Sequence, residues 1–275
     1  MRLLASSTTP RRGKGPGTSG GADPYTAARD AAIAAALADG LSLIYVGNEV
    51  NGMWQDIAGT NASTLTAGQS VGLMYDRSAG LGNSGTYNVQ ALAGALPTLV
   101  LLSSGYYGLH FDGTKKMQVN GSNSGGSTAT EYVMAAIITR GDNSTTRTVC
   151  GRRVGNSGFL LQRTSSSPFP TRAYANTGGA TNIVAELTGV LDSPVVLELS
   201  AKNLDSKAWA DGTLIGSSTL AYTSMSTQLA ALGSDHSGSA TAFNGDFALY
   251  SYGRGVPSNT TRTALRTFAN ILLGV

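Results

Sequence analysis

Hydrophobic residues in this chain recur mostly at every second position, in short runs fenced by Gly, Ser, Asn and Asp, a pattern that predicts β-strands. The clearest runs are 195–200, 207–210, 213–216 and 243–252. Asp211-Gly212 separates the second from the third. Asp-Gly between β-formers predicts a hairpin, because a type I′ turn needs positive φ at both central residues. Residues 132–139 are almost continuously apolar, which predicts a central strand buried on both faces. Further short strands are expected within 97–102, 108–112, 117–119, 145–150, 158–162, 171–175 and 181–187. Strands arriving at this spacing predict an all-β, antiparallel sandwich. No repeat of 20 to 50 residues is visible, which argues against a propeller or solenoid.

Two stretches carry a helical pattern instead. Asp23-Pro24 opens an Ala-rich segment that Asp39-Gly40 closes, with a strand over 41–46 after it. Near the end, Ser258 or Asn259 can cap a helix in which Leu265, Phe268, Ala269 and Leu272 share one face, and Gly274 ends it. It reads as a lid helix on the sandwich edge. Between 47 and 96 the pattern is irregular, with ordered islands at 52–56 and 70–78.

Composition sharpens this reading. Charged residues are only 13% of the chain and Gly numbers 36, as in a turn-rich β protein whose polar surface is made of hydroxyls. A surface so poor in charge resists association weakly, which implies coverage in an assembly, with a homo-oligomer expected. The formal charge is +3, yet Arg2, Arg11, Arg12 and Lys14 precede the first acid, so the remainder nets −1. Residues 1–22 therefore form a basic Gly/Ser/Pro arm that cannot fold alone; it is either a solvated tail or a strap against a partner. Four charges are a weak nucleic-acid footprint. Met1 to Ala5 runs straight into Ser and Thr, with no apolar stretch of signal-peptide or membrane-span length after it. The lone Cys150 excludes an internal disulfide and reads as a buried thiol.

Candidate chemistry is sparse. Glu131, Glu198 and Glu186 lack a second carboxylate at the two- or four-residue spacing of a glycosidase strand, which argues against catalysis by paired carboxylates. Glu198 alternates outward and reads as a surface residue. His110 precedes a core Phe; Asp235-His236-Ser237 is a loop, and sequence adjacency does not make a triad. Arg140-Gly141-Asp142 reads as turn chemistry. Among aromatics that could stack on sugars, Trp209 is expected in the core opposite Leu214.

The block 208–215, followed by Ala231-Leu232-Gly233 and Phe243-Asn244-Gly245-Asp246-Phe247, resembles the concanavalin A-like, laminin-G-like jelly roll. Leu109-His110-Phe111-Asp112-Gly113 resembles that family's first core strand. Gly52-Met53-Trp54-Gln55-Asp56, with 68–78, is similar to a segment that precedes such jelly rolls in tailed-bacteriophage proteins. The chain departs from that segment by lacking a Tyr-Asp pair after Trp54 and by its 83–94 insertion. The resemblance implies a basic arm (1–22), a docking segment (23–96) and a jelly-roll domain (97–275). It also implies calcium-site candidates at Asp142, Asn143, Asp235 and Asp246, and partner docking through the arm and Trp54. The expected function is a non-catalytic structural protein of a bacteriophage virion, made in the host cytoplasm and sited at head, neck or tail among other virion proteins. The alternative is a carbohydrate-binding, receptor-recognising module of a tail or head fibre; a glycoside hydrolase or lyase is disfavoured.

Overall fold

A computed structural model describes residues 23–49, 52–78, 87–91, 95–121, 130–140, 145–154, 157–165, 171–176, 182–187, 193–222, 230–234 and 242–275. Arg2, Arg11, Arg12, Lys14, Asp142, Asn143, Asp235 and His236 lie outside them.

The predicted all-β sandwich is present, as two antiparallel sheets with a helix near each end of the chain. Helix α1 spans Pro24–Ala38 and α2 spans Asn259–Leu273. The strands are β1 (Ser42–Tyr45), β2 (Met53–Trp54), β3 (Leu73–Tyr75), β4 (Tyr87–Ala91), β5 (Thr98–Leu101) and β6 (Tyr107–Asp112). Then come β7 (Met117–Gly121), β8 (Glu131–Thr139), β9 (Arg147–Val154), β10 (Ser157–Arg163), β11 (Thr171–Asn176) and β12 (Ile183–Leu187). The last are β13 (Pro194–Ala201), β14 (Ser206–Ala210), β15 (Thr213–Ser218), β16 (Ala231–Leu232) and β17 (Asn244–Arg254).

Among the described residues one sheet runs β15-β14-β13-β8-β17-β6-β5, with β1 also on β17. The first half of the long β17 pairs β6 and the second half pairs β1. The other sheet runs β12-β11-β10-β9-β16-β7-β4-β3-β2. One apolar cluster fills the space between the sheets, and a second lies between the first sheet and the two helices. β8 shows why its sequence is apolar throughout: Val133, Ala135 and Ile137 point between the sheets, while Tyr132, Met134, Ala136 and Ile138 point at the helices.

Helix α2 therefore packs across the face of the first sheet, not on an edge. Its stripe of Leu265, Phe268, Ala269 and Leu272 is buried there, with Phe268 edge-on to Tyr45 and Tyr25. Ser258 caps it through Thr261 N–H, and Gly274 closes it at φ 79°. The Asp-Gly hairpin forms as expected: Asp211 at φ 49° and Gly212 at φ 82° are the central residues of the β14–β15 turn. Asp211 then pins that turn to β13, accepting the Val196 N–H at 2.8 Å and donating its own N–H to the Val196 carbonyl.

The described residues of 23–96 are woven into the same sandwich. β1 joins the first sheet and β2 to β4 extend the second, so the irregular region of the sequence contains three short strands. Asp76 accepts the Leu43 N–H at 2.8 Å and Arg77 N–H returns a bond to the Leu43 carbonyl, tying 76–78 to β1.

Between the sheets, Glu131 on β8 meets Arg152 on β9, with Tyr252 and Tyr222 hydroxyls on the same carboxylate. This polar knot closes one end of the apolar interior.

Burial raises the Tyr25 phenol to about 12 and pushes Tyr45, Tyr132, Tyr250 and Tyr252 upward as well, desolvation being the largest cause in each. A raised folded-state value gives stability that is complete below about pH 10 and lost as pH rises past it. In an alkaline titration, tyrosinate absorbance of this class should therefore rise together with loss of β-sheet circular dichroism. Ionisation of all phenols near pH 10 in a still-folded chain would contradict the packing described here.

Candidate functional site

A row of side chains crosses four strands on the helix-facing side of the first sheet. Strand register aligns Met134 (β8), Glu198 (β13), Trp209 (β14) and Leu214 (β15). Cross-strand partners share a face; α2 reaches Glu198 and Trp209 of this row, while Leu214 at its end is half exposed. Helix α2 sets Arg262 and Arg266 four residues apart, on one side of its axis, above Glu198 and Trp209.

The geometry is a carboxylate held by two guanidiniums. Glu198 has no exposed side-chain surface; Oε2 accepts from Arg262 Nε at 2.7 Å and Tyr132 Oη at 3.0 Å, and Oε1 accepts from Arg266 at 3.1 Å. The Arg262 guanidinium also lies 3.7 Å from the Trp209 ring centroid, a cation–π stack. Glu198 is thus not a surface residue. Alternation placed it on the outer face of its sheet correctly, but α2 covers that face.

Beside this pair opens a cavity of about 300 Å³, lined by Trp209, Gly212, Asn259, Arg262, Thr263 and Arg266. Gly212 is required there by its backbone conformation, and its lack of a side chain also leaves room for Arg266. It supplies the positive φ of the turn, and a Cβ would sit 2.5 Å from the Arg266 guanidinium carbon. Arg262 and Arg266 share Glu198, so this ion-pair cluster nets one positive charge, and the Asp211 carboxylate of the adjoining turn is engaged by the Val196 N–H. Arg266 donates to Glu198 and, at 3.5 Å, to the Thr263 hydroxyl, leaving the rest of its five-donor fork at the cavity.

A second polar group sits farther along the same face. Asp246 on β17 has no exposed side-chain surface, and its oxygens are taken by His110 Nδ1 and Arg140 Nε, each at 2.7 Å. Register places Thr98, His110 and Asp246 side by side on β5, β6 and β17. Asp246, expected as a calcium ligand, is therefore met by two nitrogen partners, while the other candidates Asp142, Asn143 and Asp235 lie outside the described residues. No group of three or more His, Cys, Asp or Glu able to hold a metal occurs among the described residues. Glu131 and Glu198 point to opposite faces of the first sheet and so do not converge. Trp54, expected to dock a partner, is half-buried on edge strand β2, its ring 4.8 Å from Tyr75. Trp209 does pair with Leu214, but under α2 and beside the cavity, not between the sheets. Cys150 is buried, and desolvation pushes its thiol up.

Sequence reading missed Arg262 and Arg266. The available signal was two arginines at i and i+4 beside the apolar stripe of α2, opposite a lone Glu in the otherwise apolar 195–199 run.

No protein-family model and no curated protein matches the chain. Neither comparison supports the concanavalin A-like resemblance, which rests on the quoted motifs alone. Solved structures do match. An arabinofuranosidase complexed with arabinofuranosyl-α-1,2-xylobiose aligns at TM-score 0.57 and 11% identity, over 88% of this chain and 65% of that one. A Trypanosoma rangeli sialidase aligns at 0.52 and 12% identity, over 90% of this chain and 38% of that one. The enzymatically active domain of bacteriophage CBA120 tailspike protein 2 aligns at 0.49 and 18% identity, over 64% of this chain and 29% of that one, too loosely to carry an argument. The fold is thus an all-β sandwich of a kind found within carbohydrate-active enzymes. This chain spans only part of those enzymes' length. The expectation of a non-catalytic protein is corrected by these neighbours: absence of a paired-carboxylate spacing on one strand does not exclude catalysis in a fold that glycoside hydrolases contain.

Removing the carboxylate while leaving both arginines should be strongly destabilising. Glu198→Ala is expected to cost ~3–5 kcal/mol in urea unfolding, the range for stripping one partner from a buried ion pair. A cost under about 1 kcal/mol, as for a surface pair, would refute the buried cluster.

Proposed function

We propose that the chain is a carbohydrate-recognising β-sandwich that binds a glycan in the cavity between α2 and the β14–β15 hairpin. The observation that carries this reading is the cavity itself. An indole, two guanidiniums, an amide and a hydroxyl converge on about 300 Å³, at the lower end of small-ligand pocket volumes. Such a mixture suits a sugar, which offers many hydroxyls and an apolar ring face. The sandwich shared with an arabinofuranosidase complexed with arabinofuranosyl-α-1,2-xylobiose supports the same direction. A glycan array on the full chain, followed by calorimetry, tests the reading. Binding that Trp209→Ala weakens tenfold or more is expected, and silence across the array would overturn it. Incubating bound glycans with the protein and following sugar release tests turnover in the same experiment.

A tailed-bacteriophage virion is the setting we propose for this activity, supported by the similarity of 52–56 and 68–78 to segments of such proteins. In that setting residues 1–22, with Arg2, Arg11, Arg12 and Lys14, strap the chain to a neighbouring virion protein. Deleting 1–22 should abolish incorporation into particles and leave the sandwich folded by circular dichroism. Normal incorporation of the truncated chain would count against the strap.

A further inference from the structure

We infer that the α2–hairpin cavity selects acidic glycans, holding a sugar carboxylate on Arg266. This inference rests on the carbohydrate reading above and adds the charge of the ligand to it.

Three observations lead there. The first is charge balance within the cluster: Arg262 and Arg266 share the single carboxylate of Glu198 and net one positive charge, while Asp211 of the adjoining turn is engaged by the Val196 N–H. The second is a division of labour between the arginines. Arg262 is nearly buried, directed at Glu198 through Nε and stacked on Trp209 at 3.7 Å, so it is committed to the fold. Arg266 is more open, with side-chain exposure of 22%, and touches Glu198 through a single 3.1 Å contact. Its planar fork retains donors for a bidentate carboxylate, the geometry in which guanidinium outperforms ammonium. The third is pre-organisation. Glu198 holds the head of Arg266, Thr263 lies beside its other nitrogen, and the missing Cβ of Gly212 lets the guanidinium lie against the turn. A ligand then meets a cation already oriented, without ordering a free side chain.

The net positive charge of that cluster suits a monoanionic carboxylate. Asn259 and Thr263 at the rim offer amide and hydroxyl partners to the ring oxygens of the sugar that bears it. Uronic acids and sialic acids share this chemistry, and both are tested.

The probes are an oligogalacturonate, the same oligosaccharide as its methyl ester, a sialylated oligosaccharide and its desialylated form, titrated into the full chain by calorimetry. One acidic member should bind at least about tenfold tighter than its neutral counterpart, the loss expected for one charge-assisted pair. That preference should shrink as salt is raised. Arg266→Gln should weaken the acidic ligand at least about tenfold more than it weakens the neutral one, and Arg266→Lys should restore part of that difference. Thr263 is exposed and touches Arg266 only at 3.5 Å, so Thr263→Glu, which sets a carboxylate against the Arg266 fork at the rim, should weaken acidic ligands in a chain that folds normally. Equal affinity for acidic and neutral members, or an Arg266→Gln protein that keeps the preference, overturns this inference and leaves the carbohydrate reading standing. No binding by any member, joined to a silent array, defeats both.

Discussion

The first sheet is covered on both faces, by the second sheet on one side and by two helices on the other, and this double burial governs where charge can exist in the protein. A carboxylate on such a sheet has no water to turn to, and an unpaired one would cost several kcal/mol. Each described acid on the inner strands is accordingly met by a cation. Glu131 has Arg152, Glu198 has Arg262 and Arg266, and Asp246 has Arg140 with His110. The two sides of the sheet answer the demand differently. Glu131 draws its arginine from the facing sheet and adds two phenols, giving a closed knot among the described residues. Glu198 draws its partners from a helix, where side chains four apart arrive together.

That difference explains why the helix side produces a cavity. Two long side chains descending from α2 toward one carboxylate hold the helix and the β14–β15 turn apart at that point. The turn cannot close the gap, because Asp211 is bonded to Val196 at both its backbone N–H and its side chain. Fixed helix, fixed turn and fixed arginines leave a space whose walls are polar and whose shape is set by hydrogen bonds. Rigid walls of this kind favour recognition over adaptation.

Much of this architecture was legible in the chain. The period-two runs, the Asp211-Gly212 turn, the doubly buried 132–139 strand and both helices follow from local rules, and all are present. Within 47–96 the islands at 52–56 and 70–78 hold β2 and β3, but these are two and three residues long, β4 fell in the stretch read as irregular, and all three take their order from pairing toward the sheet edge. Glu198 was misread for a related reason. Alternation tells which face a residue takes, but says nothing about what covers that face. The placement of α2 over β13 and β14 is a tertiary fact, and it turns an outward Glu into a buried anion and two helix arginines into its partners.

The same logic separates the roles of the two arginines. Both are on one helix face and both touch Glu198, so residue type and spacing cannot distinguish them. Their surroundings do. Arg262 lies over the indole and is nearly sealed from solvent, so its charge is consumed by Glu198 and the ring. Arg266, one turn further along α2 and beside a residue that lacks a side chain, stays in contact with the cavity. A cluster needed to neutralise one buried carboxylate requires a single cation. The second, held open at the wall by the first pair, is the one with charge left to offer a ligand.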